Sequence, residues 1–403
     1  MKILITGANG FIGRNLAFSL KNISKGLDRR FPDLKIEEIM EADVDTAEHK
    51  LLDYISKADF IFHFAGTNRP TDPSEFITGN VGSLQFITDA LTNCGNRCPI
   101  MLSSSTQASL MGRFEDSPYG KSKLQAENHL FNYGEQNNVK LLVYRFPNVF
   151  GKWARPNYNS AIATFCYNIA RDIPISVTNP DIELELLYID DIIAEMISAL
   201  QGEEHRCDYD GLERIHSKTG KYCYVPLTHK GKLGWIAETI RKFRNQPADM
   251  FVPTLTNHSL EKALYSTYIS YLPTEAISFK PEKKSDSRGS FTELVKTLSS
   301  GQMSVNVSAP GITKGEHWHQ SKIEIFIVVS GHALIQQRKV GTTEIIEKEV
   351  WGENPESVFT LPGYTHNLIN LSDSKELITL IWCNEPFDPN NPDTFYEKVN
   401  INE

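Results

Sequence analysis

The sequence changes its periodicity once, near residue 280, and this change constrains the fold more than any other feature. Before it, short apolar runs alternate with amphipathic stretches of helix length, such as residues 73–92 and 117–133. This alternation predicts an α/β domain with a doubly wound parallel sheet covered by helices on both faces. After it, short runs with apolar and polar residues in alternation are separated by glycine and proline turns. That second pattern is typical of a small all-β barrel.

The boundary between the two predicted domains lies in a polar stretch that contains proline. Pro273, Pro281 and the charged residues that follow have the composition of a linker. We therefore predict an α/β domain over residues 1–272, a linker over 273–285 and an all-β domain over 286–403. A chain of 403 residues, 40% of them hydrophobic, is long enough to bury two such cores.

Composition and charge exclude several classes of function. The formal net charge of −9 opposes nonspecific binding to nucleic acid or to anionic lipid. We find no apolar run near the ~18 residues that a membrane-spanning helix needs, and no secretory signal. Only Cys94 and Cys98 lie close together among the six cysteines, and they match neither a disulfide framework nor a zinc finger. We expect reduced thiols in a cytoplasmic protein.

A glycine-rich turn follows the first predicted strand. Three glycines at a spacing of three residues separate that strand from a helix. Glycine lets the backbone approach a pyrophosphate, which then lies at the N-terminus of the helix. The turn therefore predicts a dinucleotide site. Its predicted residues are Gly7, Gly10, Phe11, Ile12, Gly13 and Arg14.

The charges near this turn favour different nicotinamide cofactors. An acidic residue after the second strand accepts hydrogen bonds from a ribose 2′-hydroxyl and repels a 2′-phosphate. We predict the second strand over residues 36–40, so Glu41 and Asp43 after it favour NADH. Arg14, directly after the glycine turn, favours NADPH. The charges alone leave both cofactors open.

A tyrosine and a lysine form a second motif, which is suited to proton transfer. Tyr119 and Lys123 are four residues apart in a predicted helix and therefore share one face. Because a nearby ammonium stabilises a phenolate, we expect a lowered pKa for Tyr119 and a role as proton donor to an alkoxide. A hydroxyl of Ser103-Ser104-Ser105 can complete an oxyanion site. The alternative interpretation is a solvated helix face beside a polar loop.

Together these motifs resemble the extended short-chain dehydrogenase/reductase family over roughly residues 1–270. Further matching segments are Phe62-His63-Phe64-Ala65-Gly66, Asn80-Val81, residues 145–151 and Tyr188-Ile189-Asp190-Asp191. The resemblance implies that Tyr119 is the acid/base, that Lys123 binds ribose and tunes the tyrosine, and that Ser105 orients the carbonyl. It also implies a Rossmann-type fold and a nucleotide-sugar contact at Asn148.

Two further expectations concern the segment at residues 62–66. By the same resemblance, Ala65 and Gly66 are cofactor contacts. His63 lies in an apolar strand, so we expect it to be packed rather than catalytic.

Three histidines and a glutamate in the predicted barrel have the spacing of a metal site. His317 and His319 alternate on one strand, so both side chains can point into the barrel. Glu324 returns on the following strand, and a later strand brings His366. Three imidazoles and one carboxylate suit Zn²⁺, Ni²⁺, Fe²⁺ or Mn²⁺. We predict one divalent metal, with Zn²⁺ as the first choice.

This spacing, bracketed by Gly311 and Gly331, resembles the cupin pattern, which implies a jelly-roll domain. The second motif, at residues 362–370, is one residue shorter than is usual in that family.

The start of the same domain, residues 286–293, resembles the nucleotide-4-keto-6-deoxysugar epimerases. By that resemblance Arg288 and Glu293 bind the nucleotide diphosphate side of the substrate. In those enzymes the histidine that matches His317 is a base, so His317 has two candidate roles, as a metal ligand or as a base. Lys314 and Tyr364 are further candidates for proton transfer.

The order of a reductase and then a cupin resembles the bifunctional CapF-type epimerase/reductases of capsule and O-antigen biosynthesis. Residues 151–160, which include the candidate substrate contact Arg155, and residues 384–394 also match. The resemblance implies a homodimer that epimerises carbon 3 of UDP-2-acetamido-2,6-dideoxy-L-arabino-hexos-4-ulose and then reduces carbon 4 with NADPH. The product is UDP-2-acetamido-2,6-dideoxy-L-talose, on the route to UDP-N-acetyl-L-fucosamine. The alternative is a simple NAD(P)H-dependent reductase whose cupin only binds, senses or dimerises.

Overall fold

The chain forms two compact units, and the computed structural model describes residues 1–401. The first unit consists of Met1–Ile240 and His258–Leu272, and the second consists of Arg241–Asn257 and the chain from Pro273 onward. The division differs from a single cut at residue 272, because one internal segment belongs to the second unit.

That internal segment, residues 241–257, is tied to the second unit by backbone pairing. Phe251 forms a parallel β-bridge with Lys296, and the amide of Val252 donates to the Lys296 carbonyl at 2.8 Å. In addition, a strand at Lys283–Asp286 begins inside the stretch expected to be a linker. The predicted ranges 1–272, 273–285 and 286–403 stay a prediction.

The first unit is built on a mainly parallel sheet. Its strands are β1 Lys2–Thr6, β2 Glu38–Ala42, β3 Phe60–His63, β4 Ile100–Ser105, β5 Leu141–Phe146, β6 Asn148–Phe150, β7 Glu183–Tyr188, β8 Arg206–Asp210, β9 Glu213–His216, β10 Tyr222–Cys223 and β11 His229–Lys232. Eight of them form a sheet in the order β2-β1-β3-β4-β5-β10-β8-β9, in which the pairings are parallel except for β10 with β8 and β8 with β9. A smaller sheet has the order β11-β7-β6.

Helices cover both faces of the large sheet. In chain order the helices of the structure are α1 Phe11–Ser24, α2 Glu48–Lys57, α3 Glu75–Ile77, α4 Ser83–Cys94, α5 Pro118–Asn137, α6 Ala161–Ile169, α7 Ile189–Leu200, α8 Leu233–Asp249, whose residues from Arg241 onward belong to the second unit, and α9 Leu260–Ile269. Ile3 and Ile5 lie in one buried cluster with α1 and α7, whereas Leu4 lies in another with α2, α4 and α5. Neighbouring residues of β1 thus pack on opposite faces, which confirms the doubly wound fold. No helix within residues 1–401 is both long and apolar enough to cross a membrane.

The stretch expected as one helix over residues 73–92 is interrupted. After α3 the chain makes a π-helical turn over Thr78–Gly82 before α4 begins. The buried side chain of Asn80 explains the interruption: it bonds both the amide and the carbonyl of Thr67 at 3.1 Å and Ser122 at 2.9 Å. Such turns are frequent at functional sites, and this one borders the helix that carries Tyr119.

The second unit consists mainly of two antiparallel sheets, which confirms the predicted all-β domain. Its strands are β12 Lys283–Asp286, β13 Gly289–Thr297, β14 Gly301–Ser308, β15 Thr313–Trp318, β16 Glu324–Ser330, β17 His332–Lys339, β18 Ile345–Trp351, β19 Ser357–Phe359, β20 Tyr364–Asn370, β21 Leu377–Cys383 and β22 Phe395–Tyr396. The sheet orders are β12-β13-β14-β21-β16-β19 and β18-β17-β20-β15-β22.

Strand β16 places one glutamate on its buried face, inside the barrel. Phe326 and Val328 are buried in the core with residues of both sheets, whereas Val329 is 38% exposed. Side chains alternate along a strand, so Glu324 shares the buried face of Phe326 and Val328 and is itself 7% exposed. A carboxylate in such a position needs cationic or metal partners.

Candidate active sites

The glycine turn of the first unit packs closely against the end of β3. Gly7 has φ +68°, and a Cβ added to it would lie 2.7 Å from the amide nitrogen of Ala65. A Cβ on Gly13 would lie 2.3 Å from the carbonyl oxygen of Gly7. Helix α1 then begins at Phe11, with Gly10 as an N-cap that has no side chain to shield the first amides. The arrangement leaves these amides able to bind a pyrophosphate.

Two charged residues flank this turn. Asp43 directly follows β2, and its two carboxylate oxygens accept the amides of Asn9 and Val44, each at 2.8 Å. Strand β2 extends two residues past its expected end, so Glu41 lies within the strand and pairs with Lys21.

On the other side of the turn, the guanidinium of Arg14 lies 5.1 Å from the centroid of the Trp153 ring and 6.0 Å from that of Phe18. Arg14 is exposed. Its charge is therefore available to an anionic ligand at the edge of the turn.

The expected catalytic residues lie at the end of β4 and the start of α5. Ser117 caps α5 by accepting the amide of Gly120, which places Tyr119 in the first turn. Lys123 is 4% exposed, lies 5.8 Å from the centroid of the Tyr119 ring and donates to the Ser103 carbonyl at 3.0 Å. Ser105, which is buried, accepts the amide of Gln107.

One expectation about these residues is wrong. The sequence predicted a lowered pKa for Tyr119, but burial raises the pKa of Tyr119 to about 12. Burial also lowers the pKa of Lys123 to about 8, against an opposing effect of Glu127. Loss of solvent is thus the largest influence on the pKa of both groups.

A buried ion pair that no sequence motif predicted supports the same segment. Glu127 is fully buried, accepts the hydroxyl of Ser104 and forms a bidentate pair with Arg145 at 2.6 and 2.9 Å. The signal in the sequence was its position four residues after Lys123 on one helix face. His63, also fully buried, bonds Thr6 at 2.8 Å, and burial lowers the pKa of His63 to about 3.

A cavity of about 320 Å³ lies next to these residues. Its lining includes Thr106, which directly follows Ser105, together with Arg145, Glu185, Arg214 and Lys230. Mixed charges and aromatic rings suit a polar ligand with hydroxyl and anionic groups.

The two predicted substrate contacts of the first unit are not among the lining residues of this cavity. Asn148 is exposed and donates to the Glu185 carbonyl at 3.1 Å. Arg155, also exposed, lies 5.1 Å from the centroid of the Tyr158 ring.

The four expected metal ligands of the second unit come together. One ligand atom from each of His317, His319, Glu324 and His366 lies within 4.8 Å of the others. His317 pairs with His366 across β15 and β20, so strand register brings two of the imidazoles side by side. The ring centroids lie 4.7 to 5.3 Å apart.

The hydrogen bonding of the cluster fits a bound cation. The Nε2 atoms of His319 and His366 are buried without a hydrogen-bond partner. They lie 3.7 and 3.4 Å from the same oxygen of Glu324, Oε2. Two orphaned imidazole nitrogens facing one carboxylate oxygen form a donor set suited to Zn²⁺ or a related divalent metal.

The surroundings of Glu324 and His317 keep these two groups in the form that binds a metal. Burial raises the pKa of Glu324, but the neighbouring imidazoles of His319 and His366, and then Lys322, lower it by more, so its pKa lies well below the ordinary value. Burial, and then the neighbouring His366, lower the pKa of His317 to about 4. Lys322 holds the second oxygen of Glu324 at 3.1 Å.

Other candidates in the second unit have partners of their own. Lys314 donates to Asn306 at 2.9 Å and to the Val307 carbonyl at 2.8 Å, and burial lowers its pKa. Arg288 is exposed and pairs with Asp286 at 2.7 Å.

Glu293 pairs with Lys296 at 2.6 Å. Tyr364 is half-buried at the start of β20, two residues before His366.

Comparison with known proteins supports this two-part architecture. The NAD dependent epimerase/dehydratase family matches residues 3–209, and the Polysaccharide biosynthesis C-terminal domain matches residues 284–395. The chain is similar to the UDP-2-acetamido-2,6-beta-L-arabino-hexul-4-ose reductase of Pseudomonas aeruginosa, with 38% identity over 395 residues, 98% of each chain.

Comparison with solved structures supports the same two-part architecture. The crystal structure of the capsular polysaccharide assembling protein CapF from Staphylococcus aureus is 44% identical, with a TM-score of 0.85 over 99% of this chain and 100% of that one. A CapF structure with the inhibitor 3-isopropenyl-tropolone is 41% identical, with a TM-score of 0.81 over the same shares.

The fold and the matched sequence thus define an NAD(P)H-dependent nucleotide-sugar enzyme, and the chain belongs to the NAD dependent epimerase/dehydratase family. Because the similarity extends through the second unit, the chain is more particularly a CapF-type epimerase/reductase.

Proposed function

We propose that the chain converts UDP-2-acetamido-2,6-dideoxy-L-arabino-hexos-4-ulose to UDP-2-acetamido-2,6-dideoxy-L-talose in two steps. The second unit inverts carbon 3, and the first unit then reduces the ketone at carbon 4. One observation carries the proposal: each compact unit has its own cluster of reactive side chains, and the two clusters differ in chemistry. The Pseudomonas relative is named for a hexul-4-ose, which supports this substrate class.

The reduction uses a proton donor next to the dinucleotide turn. A reduced nicotinamide bound at this turn would supply hydride to carbon 4. Tyr119 gives its hydroxyl proton to the ketone oxygen, since burial raises its pKa to about 12 and keeps it protonated at neutral pH. Ser105 donates a hydrogen bond to the same oxygen, and Lys123 binds the ribose.

NADPH is the proposed cofactor. The exposed guanidinium of Arg14 stacks on Trp153 and has no carboxylate partner within residues 1–401, so it can pair with a 2′-phosphate. Asp43 already accepts two backbone amides, which reduces its capacity to bind a ribose hydroxyl. These two observations favour NADPH over NADH.

The epimerisation depends on the ketone at carbon 4, which acidifies the hydrogen at carbon 3. A base removes this proton, and protonation of the opposite face inverts the centre. Lys314 is poorly suited as the base, because its amine is held by two acceptors. The candidates for this role are Tyr364 and, as the alternative to its role as a metal ligand, His317, which is the least buried of the three histidines.

His317, His319, Glu324 and His366 would hold one divalent metal, with Zn²⁺ as the proposed ion. Bound there, the ion would supply Lewis-acid stabilisation of negative charge on a substrate oxygen. The inhibitor in one CapF structure supports a metal, because the adjacent oxygens of a tropolone chelate divalent ions. We also propose a homodimer, which sedimentation of the purified chain would test.

The reductase half is tested with the variant Tyr119→Phe and the ketosugar. We expect at least a hundredfold loss of NADPH oxidation, because the phenol proton is gone. Tyr133→Phe, which removes a hydroxyl from the same helix, is the matched control and should keep wild-type rates. NADPH oxidation at the wild-type rate in Tyr119→Phe would refute the assignment.

The competing function is a simple reductase whose cupin only binds or dimerises. It predicts NADPH oxidation without any change at carbon 3. Product analysis by NMR distinguishes the two, since only the bifunctional enzyme yields the talose configuration.

A further inference from the structure

The carboxy-terminal segment, residues 393–399, runs along β15, the strand that carries His317 and ends one residue before His319. Within it, β22 pairs with β15, placing Tyr396 opposite His317 and Phe395 opposite Trp318. The rings of Trp318 and Phe395 also pack against each other at a tilt of 32°, with centroids 4.8 Å apart. The segment therefore forms the outer edge of the sheet that contains the histidines.

Asp393, at the start of this segment, contacts the site with both its backbone and its side chain. Its carbonyl oxygen is hydrogen-bonded to Nδ1 of His319. Its carboxylate accepts the amides of Gln320 at 2.8 Å, Ser321 at 2.8 Å and Lys322 at 3.0 Å. Asp393 thus holds three successive amides of the turn between His319 and the strand of Glu324.

The contact with the carbonyl determines which nitrogen of His319 can bind a metal. A carbonyl oxygen only accepts hydrogen bonds, so Nδ1 must carry the hydrogen. The lone pair is then on Nε2, the buried atom that lies 3.7 Å from Glu324 and has no hydrogen-bond partner. Partners of this kind orient metal-bound histidines and raise their affinity for the metal.

The far end of the segment is anchored firmly. Glu316, which precedes His317, has φ +61° at a β-bulge, and its carboxylate accepts the amide of Val399 at 2.6 Å. Arg338, only 2% exposed, donates to the carbonyls of Lys398 and Val399, each at 2.7 Å. These anchors keep Asp393 in register with the histidine strand.

We propose that Asp393 is a positioning residue for the metal centre. It fixes His319 as the tautomer with a free Nε2 and holds the turn that leads to Glu324. The carboxy-terminal segment is thus part of the metal site although it supplies no ligand. This inference rests on the proposed metal binding by the histidine–glutamate cluster.

The test measures metal affinity of the full chain rather than turnover. Asp393→Ala removes the carboxylate that holds the turn, so we expect 10- to 100-fold weaker Zn²⁺ binding in competition titrations. The visible spectrum of the Co²⁺-loaded chain should change as well, because the ligand geometry changes. Asp393→Asn keeps one accepting oxygen, so its loss of Zn²⁺ affinity should be smaller.

Asp388→Ala is the matched control. This exposed aspartate caps a neighbouring turn, accepting the amide of Asn390 at 2.9 Å, and its variant should bind metal like the wild type.

Three results would overturn the inference. Wild-type Zn²⁺ affinity and Co²⁺ spectrum in a folded Asp393→Ala chain would do so directly. If that variant fails to fold, wild-type affinity in Asp393→Asn has the same meaning. A wild-type chain that binds no divalent metal would remove the proposed centre itself, and the role of Asp393 with it.

Discussion

At the scale of single residues, burial sets the proton affinities of the reductase site. It raises the pKa of Tyr119 to about 12 and lowers that of Lys123 to about 8. A protonated phenol beside a lysine that gives up its proton readily is well matched to donating a proton and recovering it. Glu127, which opposes the lowering at Lys123, links this pair to Arg145 and to the adjacent cavity.

Arg14 provides a prediction at this scale. If its guanidinium pairs with a 2′-phosphate, Arg14→Ala should raise KM for NADPH about 10- to 100-fold, since charged hydrogen bonds contribute about 1.5–3 kcal/mol. KM for NADH should change less than twofold.

Steady-state kinetics with both cofactors provide the measurement. Arg29→Ala, which removes another exposed arginine, controls for net charge. Equal increases in KM for NADPH and for NADH would show that Arg14 does not bind the 2′-phosphate.

At the scale of elements, the strand ends and loops determine where the reactive groups lie. The π-helical turn before α4 places Asn80 against Thr67 and Ser122. Gly66, at the end of β3, faces the same cluster: an added Cβ would lie 2.5 Å from Asn80 and 3.3 Å from the Lys123 amine. Close packing of loop against helix thus fixes the position of Lys123.

This packing makes Gly66→Ala a sharp test. The methyl group would displace Asn80 and Lys123, and displacements of about 1 Å cost up to 10²-fold in rate. We expect a 10- to 100-fold lower kcat for NADPH oxidation. Gly82→Ala is the control, because a Cβ there meets open space. A Gly66→Ala enzyme as active as Gly82→Ala would contradict the proposed role of this contact.

Local patterns allowed the main elements to be predicted, and also which side chains lie together at the two candidate sites. Apolar runs mark β1 and β3 to β5, and the Tyr119–Lys123 spacing and the histidine spacing are short-range signals. The interruption before α4 was not predictable, because it depends on tertiary hydrogen bonds of Asn80.

Long-range partners escaped the sequence analysis for the same reason. Arg145 lies 18 residues from Glu127, and Asp393 lies 74 residues from His319. No short motif connects such pairs. The assignment of residues 241–257 to the second unit likewise depends on tertiary contacts, which the composition of the segment does not indicate.

At the scale of the whole molecule, two units of different class carry two different kinds of chemistry. The parallel sheet of the first unit holds the glycine turn and the proposed proton donor, Tyr119. The antiparallel sheets of the second unit hold the histidine–glutamate cluster. The ketone at carbon 4 of the proposed substrate is a feature that both could use, because it acidifies a neighbouring C–H bond and accepts hydride.

The most direct test of this account is hydrogen exchange at carbon 3 without any nicotinamide. The metal-loaded wild-type chain is incubated with the ketosugar in D₂O, and the recovered sugar is examined by mass spectrometry and NMR. We predict uptake of one deuterium at carbon 3, and reduction at carbon 4 only after NADPH is added. A ketosugar that is reduced with NADPH but never takes up deuterium would contradict the account.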